Sequence, residues 1–170
     1  MCGILGEFSL TNSLTPIDRF KSILKISKSR GPDESSIKSA SGKIQFGFNR
    51  LSILDLSKEA SQPVWSPSGR YLIVFNGEIY NHQKLRSDLG IVGKTIKSHG
   101  DTASLVYCID RWGITNTIKK IEGMFSLAVW DVKKRRLSLA RDFAGIKPLF
   151  YGWKNSKFVF ASQYNQISNH

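Results

Sequence analysis

The chain is poor in cysteine, histidine, proline and acid. Its 170 residues hold two cysteines, three histidines, five prolines and 13 acidic side chains against 25 basic ones. Two cysteines, Cys2 and Cys108, cannot staple a secreted disulfide framework, so a reducing, cytoplasmic setting is the default. His82, His99 and His170 share no ligand-like spacing with those cysteines, and no metal is expected. Long apolar runs are also missing. "YLIVF" and "FSLAVW" are strand-sized, far short of the roughly 20 residues that span a bilayer. "MCGILGEFSL" has no basic start and soon meets Glu7, so it does not read as a signal peptide, and nothing supports lipidation of Cys2. There is no repeat, low-complexity stretch or linker. The length fits one domain, able to bury roughly 70% of its unfolded surface without a disulfide or metal.

The shortage of acid leaves a formal net charge of +12. Such an excess can mark a nucleic-acid or acidic-membrane partner. Here the basic residues are scattered, and the densest run, "KKRR" at 133–136, sits between two strand-like segments as a hairpin tip. No basic stripe is interleaved with aromatics, which disfavours nucleic acid. A solvated basic surface, or a face docked on an acidic partner domain, is the better reading.

Strand and helix signals are plain. "GILGEFSL", "KIQFGFNR", "GRYLIVFNG", "MFSLAVWD", "RLSLARD", "PLFYGW" and "KFVFAS" read as strands. "TPIDRFKSILKISKSRG" reads as a helix, with Thr15 as N-cap, Pro16 in the first helical position and Asp18 at capping-box spacing. Ile17, Phe20, Ile23 and Leu24 form its apolar face, and Gly31 ends it. "DTASLVYCIDRWG" repeats Ala103, Leu105, Val106, Ile109 and Trp112 at helical spacing, and "TNTIKKIEG" continues as a second short helix. Cys108, in mid-helix, reads as core. The order predicts an α+β fold, two antiparallel sheets with helices packed outside.

Cys2 draws chemical attention. If Met1 is removed, Cys2 carries a thiol and a free α-amine, with unperturbed pKa values of about 8.5 and about 7.7–8.0. The amine can take the thiol proton, so nucleophile and base share one residue. Gly3 leaves room above the first peptide. On "MCG" alone, a small buried hydrophobe at a strand start explains Cys2 equally well.

The rest of the chain bears on that choice. "RGPDESS", "FGFNRLSILDLS", "SQPVW", "VFNGEIYNH", "GDTASL", "GMFSLAVWD", "LARDFAGIKPLFYGW" and "FVFAS" follow "MCGILGEF" in order. Together they resemble the glutamine-hydrolysing domain of asparagine synthetase, a class II glutamine amidotransferase. "NRLSILDLS" resembles the arginine segment of that branch rather than those of the sugar-phosphate and purine amidotransferases. The resemblance implies the N-terminal nucleophile hydrolase fold, a four-layer αββα sandwich. It implies hydrolysis of L-glutamine to L-glutamate and ammonia, with Cys2 as nucleophile and with Asn76 and Gly77 as the oxyanion hole. Arg50 would hold the α-carboxylate, the backbone of Leu51, Ser52, Ile53 and Leu54 would line the pocket, and Glu78 and Asp101 would bind the α-ammonium. A guanidinium fork suits a carboxylate, so the residue types fit those roles. Asn-Gly is also an ordinary hairpin turn, Asp101 also suits a helix N-cap, and arginine is commonly a plain surface residue. Arg30, Asp33, Asp142 and Lys147 lie in family motifs and read as structural or domain-facing.

Some positions depart from the family pattern. Ala103 stands where an acid is more usual, "DFAGIKP" is not the commonest loop, and Gln163 replaces a usual glutamate. Residues 1–170 hold no phosphate loop, so the ATP-dependent synthetase domain is expected to be absent from this chain. No cofactor is expected for this domain; ATP and Mg belong to the synthetase. The expected partners are L-glutamine and a synthetase domain or subunit that receives ammonia, with no membrane; a homodimer stays open. Two alternatives also stay open: an amidotransferase for another acceptor, such as a sugar or carboxylic acid, or an idle glutamine-sensing module.

Overall fold

The computed structural model describes residues 1–52, 57, 60–91, 98 and 100–170. Their order is β1 (Gly3–Ser9), α1 (Ile17–Lys25), a 3₁₀ turn (Lys28–Arg30), β2 (Glu34–Ala40), β3 (Ile44–Arg50), β4 (Val64–Trp65), β5 (Tyr71–Ile79) and α2 (His82–Asp88). Then come α3 (Asp101–Trp112), α4 (Ile114–Ile118), β6 (Gly123–Asp131), β7 (Arg136–Arg141), β8 (Phe150–Lys154), β9 (Lys157–Ala161) and α5 (Tyr164–Ser168). All seven expected strands form, and "KKRR" caps the β6–β7 hairpin. The two-residue β4, the half-polar β2 and the short α2 and α5 carry too little periodicity to be read from sequence.

Two antiparallel sheets result, in the orders β2-β3-β1-β9-β8 and β4-β5-β6-β7. Side chains alternate across each strand, so each sheet buries two different sets. Ile4, Phe46, Phe48 and Phe160 of the first sheet meet Leu72, Val74, Ala128 and Trp130 of the second. The first sheet's other face, with Leu5, Val159 and Ala161, packs on Phe20, Ile23 and Leu24 of α1 and on Ile167 of α5. The second sheet's other face, with Ile73, Phe75 and Leu127, packs on Leu85 of α2 and on Leu105, Val106, Cys108 and Ile109 of α3. Four layers follow, helix–sheet–sheet–helix, as expected. Strands covered on both sides read as nearly continuous apolar runs, which explains "YLIVF". Truncating Phe160 or Phe46 to alanine in such a core costs about 3–5 kcal/mol.

The start of α1 differs from the expectation. Thr15 does not cap the helix. Its N–H and hydroxyl donate to the buried Glu7 carboxylate at 2.6 and 2.7 Å, Pro16 takes the N-cap position, and no side chain caps the helix. A buried carboxylate needs donors more than a helix end open to water does. Ile17 stays largely exposed, and the α-helix stops at Lys25, with Gly31 closing the separate 3₁₀ turn. Among the described residues, no helix is long and apolar enough to cross a membrane.

Candidate active site

Register builds the site. β1 pairs with β3 so that Gly3 faces Asn49, and continuing one step sets Cys2 opposite Arg50. β2 pairs with β3 so that Glu34 faces Arg50. Glu34, Arg50 and Cys2 therefore form one row across three strands, on the face that carries Phe48 and Ile4. On the opposed sheet the same face of β5 runs Leu72, Val74, Asn76, Glu78. Where the shared apolar core ends, two polar rows face each other. Between them lies a cavity of about 310 Å³, near the lower end of the ~300–1,000 Å³ typical of small-molecule sites. Cys2, Arg50, Leu51, Ser52, Asn76, Gly77, Glu78 and Asp101 all line it. Ile53 and Leu54 lie outside the described residues.

Cys2 sits half-buried at the cavity wall, and its Sγ accepts the Leu51 N–H at 3.4 Å. Burial pushes the thiol pKa up. The Leu51 backbone and the positive charges of the Met1 amine, Arg50 and Lys147 pull it down without overcoming burial. The resting thiol is therefore protonated at neutral pH and needs a base to become a nucleophile. Arg30 fixes the residue from behind, donating from Nε to the Cys2 carbonyl at 3.1 Å. Gly31 makes that approach possible, because a Cβ there would lie 2.2 Å from the Asn49 carbonyl oxygen. Asp33 accepts the Ser52 N–H at 2.7 Å and shapes the strand exit after Arg50.

Across the cavity, Asn76 is 2% exposed, and its Nδ2 is buried without a hydrogen-bond partner. An orphaned buried donor costs about 1–3 kcal/mol. Its place on a cavity wall marks a group held ready for an acceptor. Gly77 stays in β5 rather than forming a hairpin turn, and a Cβ there would meet the Met124 carbonyl oxygen at 2.3 Å. Asp101 opens α3 but does not cap it; Gly100 takes that position. The Asp101 carboxylate accepts the N–H groups of Ile79 at 2.8 Å and Thr102 at 2.7 Å, which pins it next to Glu78. Burial raises its pKa, and the Glu78 charge adds to the rise. An arriving cation would relieve both. Arg86 secures the approach, donating to the carbonyls of Ser98 at 3.1 Å and Gly100 at 2.8 Å.

Several residues join the site that the sequence reading did not assign to it. Glu34 pairs with Arg50 at 3.4 Å, and Ser61 donates to Glu34 at 2.7 Å. Gln62 is 4% exposed, and its Oε1 accepts the Phe75 N–H at 2.6 Å. β4 pairs only with Leu72 and Ile73, so the Gln62 side chain serves β5 where that strand partner ends. Ser36 Oγ donates to the Gln62 carbonyl, tying this loop to the first sheet. Asp142 is structural, as expected, accepting the N–H groups of Phe125, Ile146 and Lys147. Lys147 differs from its expected structural or domain-facing role, because it is 6% exposed and lines the cavity. In sequence these positions lie in "RGPDESS", "SQPVW" and "RDFAGIKP", and none of these motifs carries a mechanism by itself.

Comparison with known proteins agrees with the geometry. A family model described as "Glutamine amidotransferase domain" matches residues 1–170. The chain is 35% identical to asparagine synthetase [glutamine-hydrolyzing] 2 of Bacillus subtilis over 173 residues, covering 100% of this chain and 22% of the relative. It is 33% identical to asparagine synthetase [glutamine-hydrolyzing] 3 of the same organism, covering 100% of this chain and 28% of the relative. The chain thus spans roughly a quarter of the length of these relatives. Among solved structures, the glutamine phosphoribosylpyrophosphate amidotransferase of B. subtilis shares the fold. Its TM-score is 0.78 at 18% identity, over 98% of this chain and 43% of that one. With its whole length matched, its four layers shared and its polar rows in place, the chain belongs to the glutamine amidotransferase domain family.

Proposed function

We propose that this domain hydrolyses L-glutamine to L-glutamate and ammonia with Cys2 as the nucleophile. The ammonia feeds an asparagine-synthetase-type, ATP-dependent amidation on a synthetase domain or subunit. One observation carries the reading: Cys2 and Arg50 at one sheet face the unpartnered Asn76 amide and Glu78 on β5 and Asp101 at the start of α3, across one cavity.

Removal of Met1 leaves the α-amine on Cys2, where it takes the proton of a thiol that burial keeps protonated. Sulfur then attacks the side-chain carboxamide carbon. The oxyanion is held by Asn76 Nδ2 and the Gly77 N–H. The proton passes to the amide nitrogen, the C–N bond breaks, and ammonia leaves a thioester. Water, deprotonated by the same amine, attacks the thioester; glutamate departs and the thiol is restored. Arg50 reads the substrate α-carboxylate, and Glu78 with Asp101 reads its α-ammonium, so a free amino acid is selected over a glutamine inside a peptide.

Replacing Cys2 by alanine in the purified protein tests the assignment. Glutamate release should vanish while glutamine still binds. Unchanged release in Cys2→Ala would overturn it.

A further inference from the structure

Lys147 is buried at the cavity wall. Its backbone is held by Asp142, which accepts the Lys147 N–H at 3.0 Å, the Ile146 N–H at 2.8 Å and, from β6, the Phe125 N–H at 3.1 Å. Among the described residues, no carboxylate lies within ion-pair distance of its ammonium. A lysine held at a cavity wall with no carboxylate in reach is placed to meet an anionic group that enters the cavity.

Strand order shows which end of the cavity Lys147 serves. In the first sheet the row runs Glu34 on β2, Arg50 on β3, Cys2 on β1. Ser61 and Gln62, just before β4, bond to Glu34 and Ser36 of β2, so the β4 flank of the second sheet overlies the β2 flank of the first. Lys147 enters from the opposite flank, beyond β6 and β7. Cys2 thus stands between Arg50 and Lys147, and both cations act on its thiol.

Resting on the glutaminase reading, we propose that Lys147 is the cation of the nucleophile end of the pocket, and that it binds the γ-carboxylate of product glutamate. The substrate carboxamide is neutral there and gains little. The hydrolysed product carries a full negative charge at that point and is retained. Glutamate thereby becomes an inhibitor of its own formation, through a charge that glutamine lacks.

The test compares the wild-type protein with Lys147→Met and Lys147→Arg. First, Cys2 is alkylated with anionic iodoacetate and with neutral iodoacetamide, each adduct being mapped by peptide mass. Second, the inhibition constant of glutamate is set against the KM of glutamine. In Lys147→Met the iodoacetate-to-iodoacetamide rate ratio should fall by about tenfold, the equivalent of one pK unit. The glutamate constant should rise by a similar factor relative to KM, and Lys147→Arg should restore both. An unchanged ratio and an unchanged glutamate constant would overturn the proposal. So would an equal rise in KM and in the glutamate constant, which would move Lys147 to the α-carboxylate. Should Lys147→Met fail to fold, the wild-type ratio decides: a value no higher than that of free cysteine refutes the assignment. A wild-type protein that reacts with iodoacetate preferentially yet never hydrolyses glutamine would fail the glutaminase reading and leave the cation at Cys2 in place.

Discussion

Replacing Asn76 by leucine should make the domain more stable and nearly inactive. Leucine matches asparagine in branching and heavy-atom count. In the folded protein the Asn76 Nδ2 is buried and unpartnered. Removing an orphaned donor returns about 1–3 kcal/mol. For a protein of this size, each kcal/mol moves Tm by about 2–4 °C, so a rise of roughly 2–12 °C is expected. Catalysis should move the other way. Loss of one oxyanion donor costs about 10²–10³ in kcat, or ~2.7–4 kcal/mol of transition-state stabilisation. Thermal unfolding by circular dichroism, with a glutamate-release assay on the same preparation, reads both. A lower Tm with activity within tenfold of wild type would refute the argument, because Asn76 would then be supporting the fold rather than waiting for an oxyanion.

Other perturbations follow from the same geometry. Gly77→Ala places a methyl 2.3 Å from the Met124 carbonyl oxygen, so β5 and β6 must part; a loss of about 1–3 kcal/mol in urea unfolding is expected, together with a fall in kcat as Asn76 shifts. Glu34→Gln loosens the hold on Arg50 from a half-exposed position and should raise the KM for glutamine up to about fivefold with kcat little changed, as steady-state kinetics would show. Asp142 is drawn upward by burial, yet the N–H groups of Lys147, Ile146 and Phe125 hold its carboxyl below the ordinary range. Its contribution is therefore present above the unfolded pKa near 3.9 and lost as pH falls through the lower folded value. The stability gap between wild type and Asp142→Ala should be open at pH 6 and close under strong acid, as urea midpoints across pH would reveal.

The sequence pattern disclosed the layers because each long strand is buried on both faces. "YLIVFNG" keeps its apolar residues through Phe75 and turns polar where the cavity begins. That change at Asn76 marks the site as clearly as any motif. Cys2 could be singled out from its position and chemistry, whereas Arg50, Glu78 and Asp101 are named through the family resemblance, their residue types only fitting the roles it implies. How they converge could not be named, since it depends on the pairing of Glu34 with Arg50 and of Gly3 with Asn49, and register leaves no local mark. Thr15 misled because a capping signature is local, while the buried Glu7 that claims its hydroxyl is a tertiary fact. Lys147 was missed for a related reason: burial next to Cys2 is set by the Asp142 turn and by β6, not by the residues around it.

The central claim is that Cys2, freed of Met1, is the nucleophile of a glutamine site. Intact mass of the purified protein, before and after incubation with a diazo-ketone analogue of glutamine, tests it most directly. The account predicts loss of Met1 and a single covalent adduct that maps to Cys2. Retained Met1, an adduct on Cys108, or no adduct on a folded protein would contradict it.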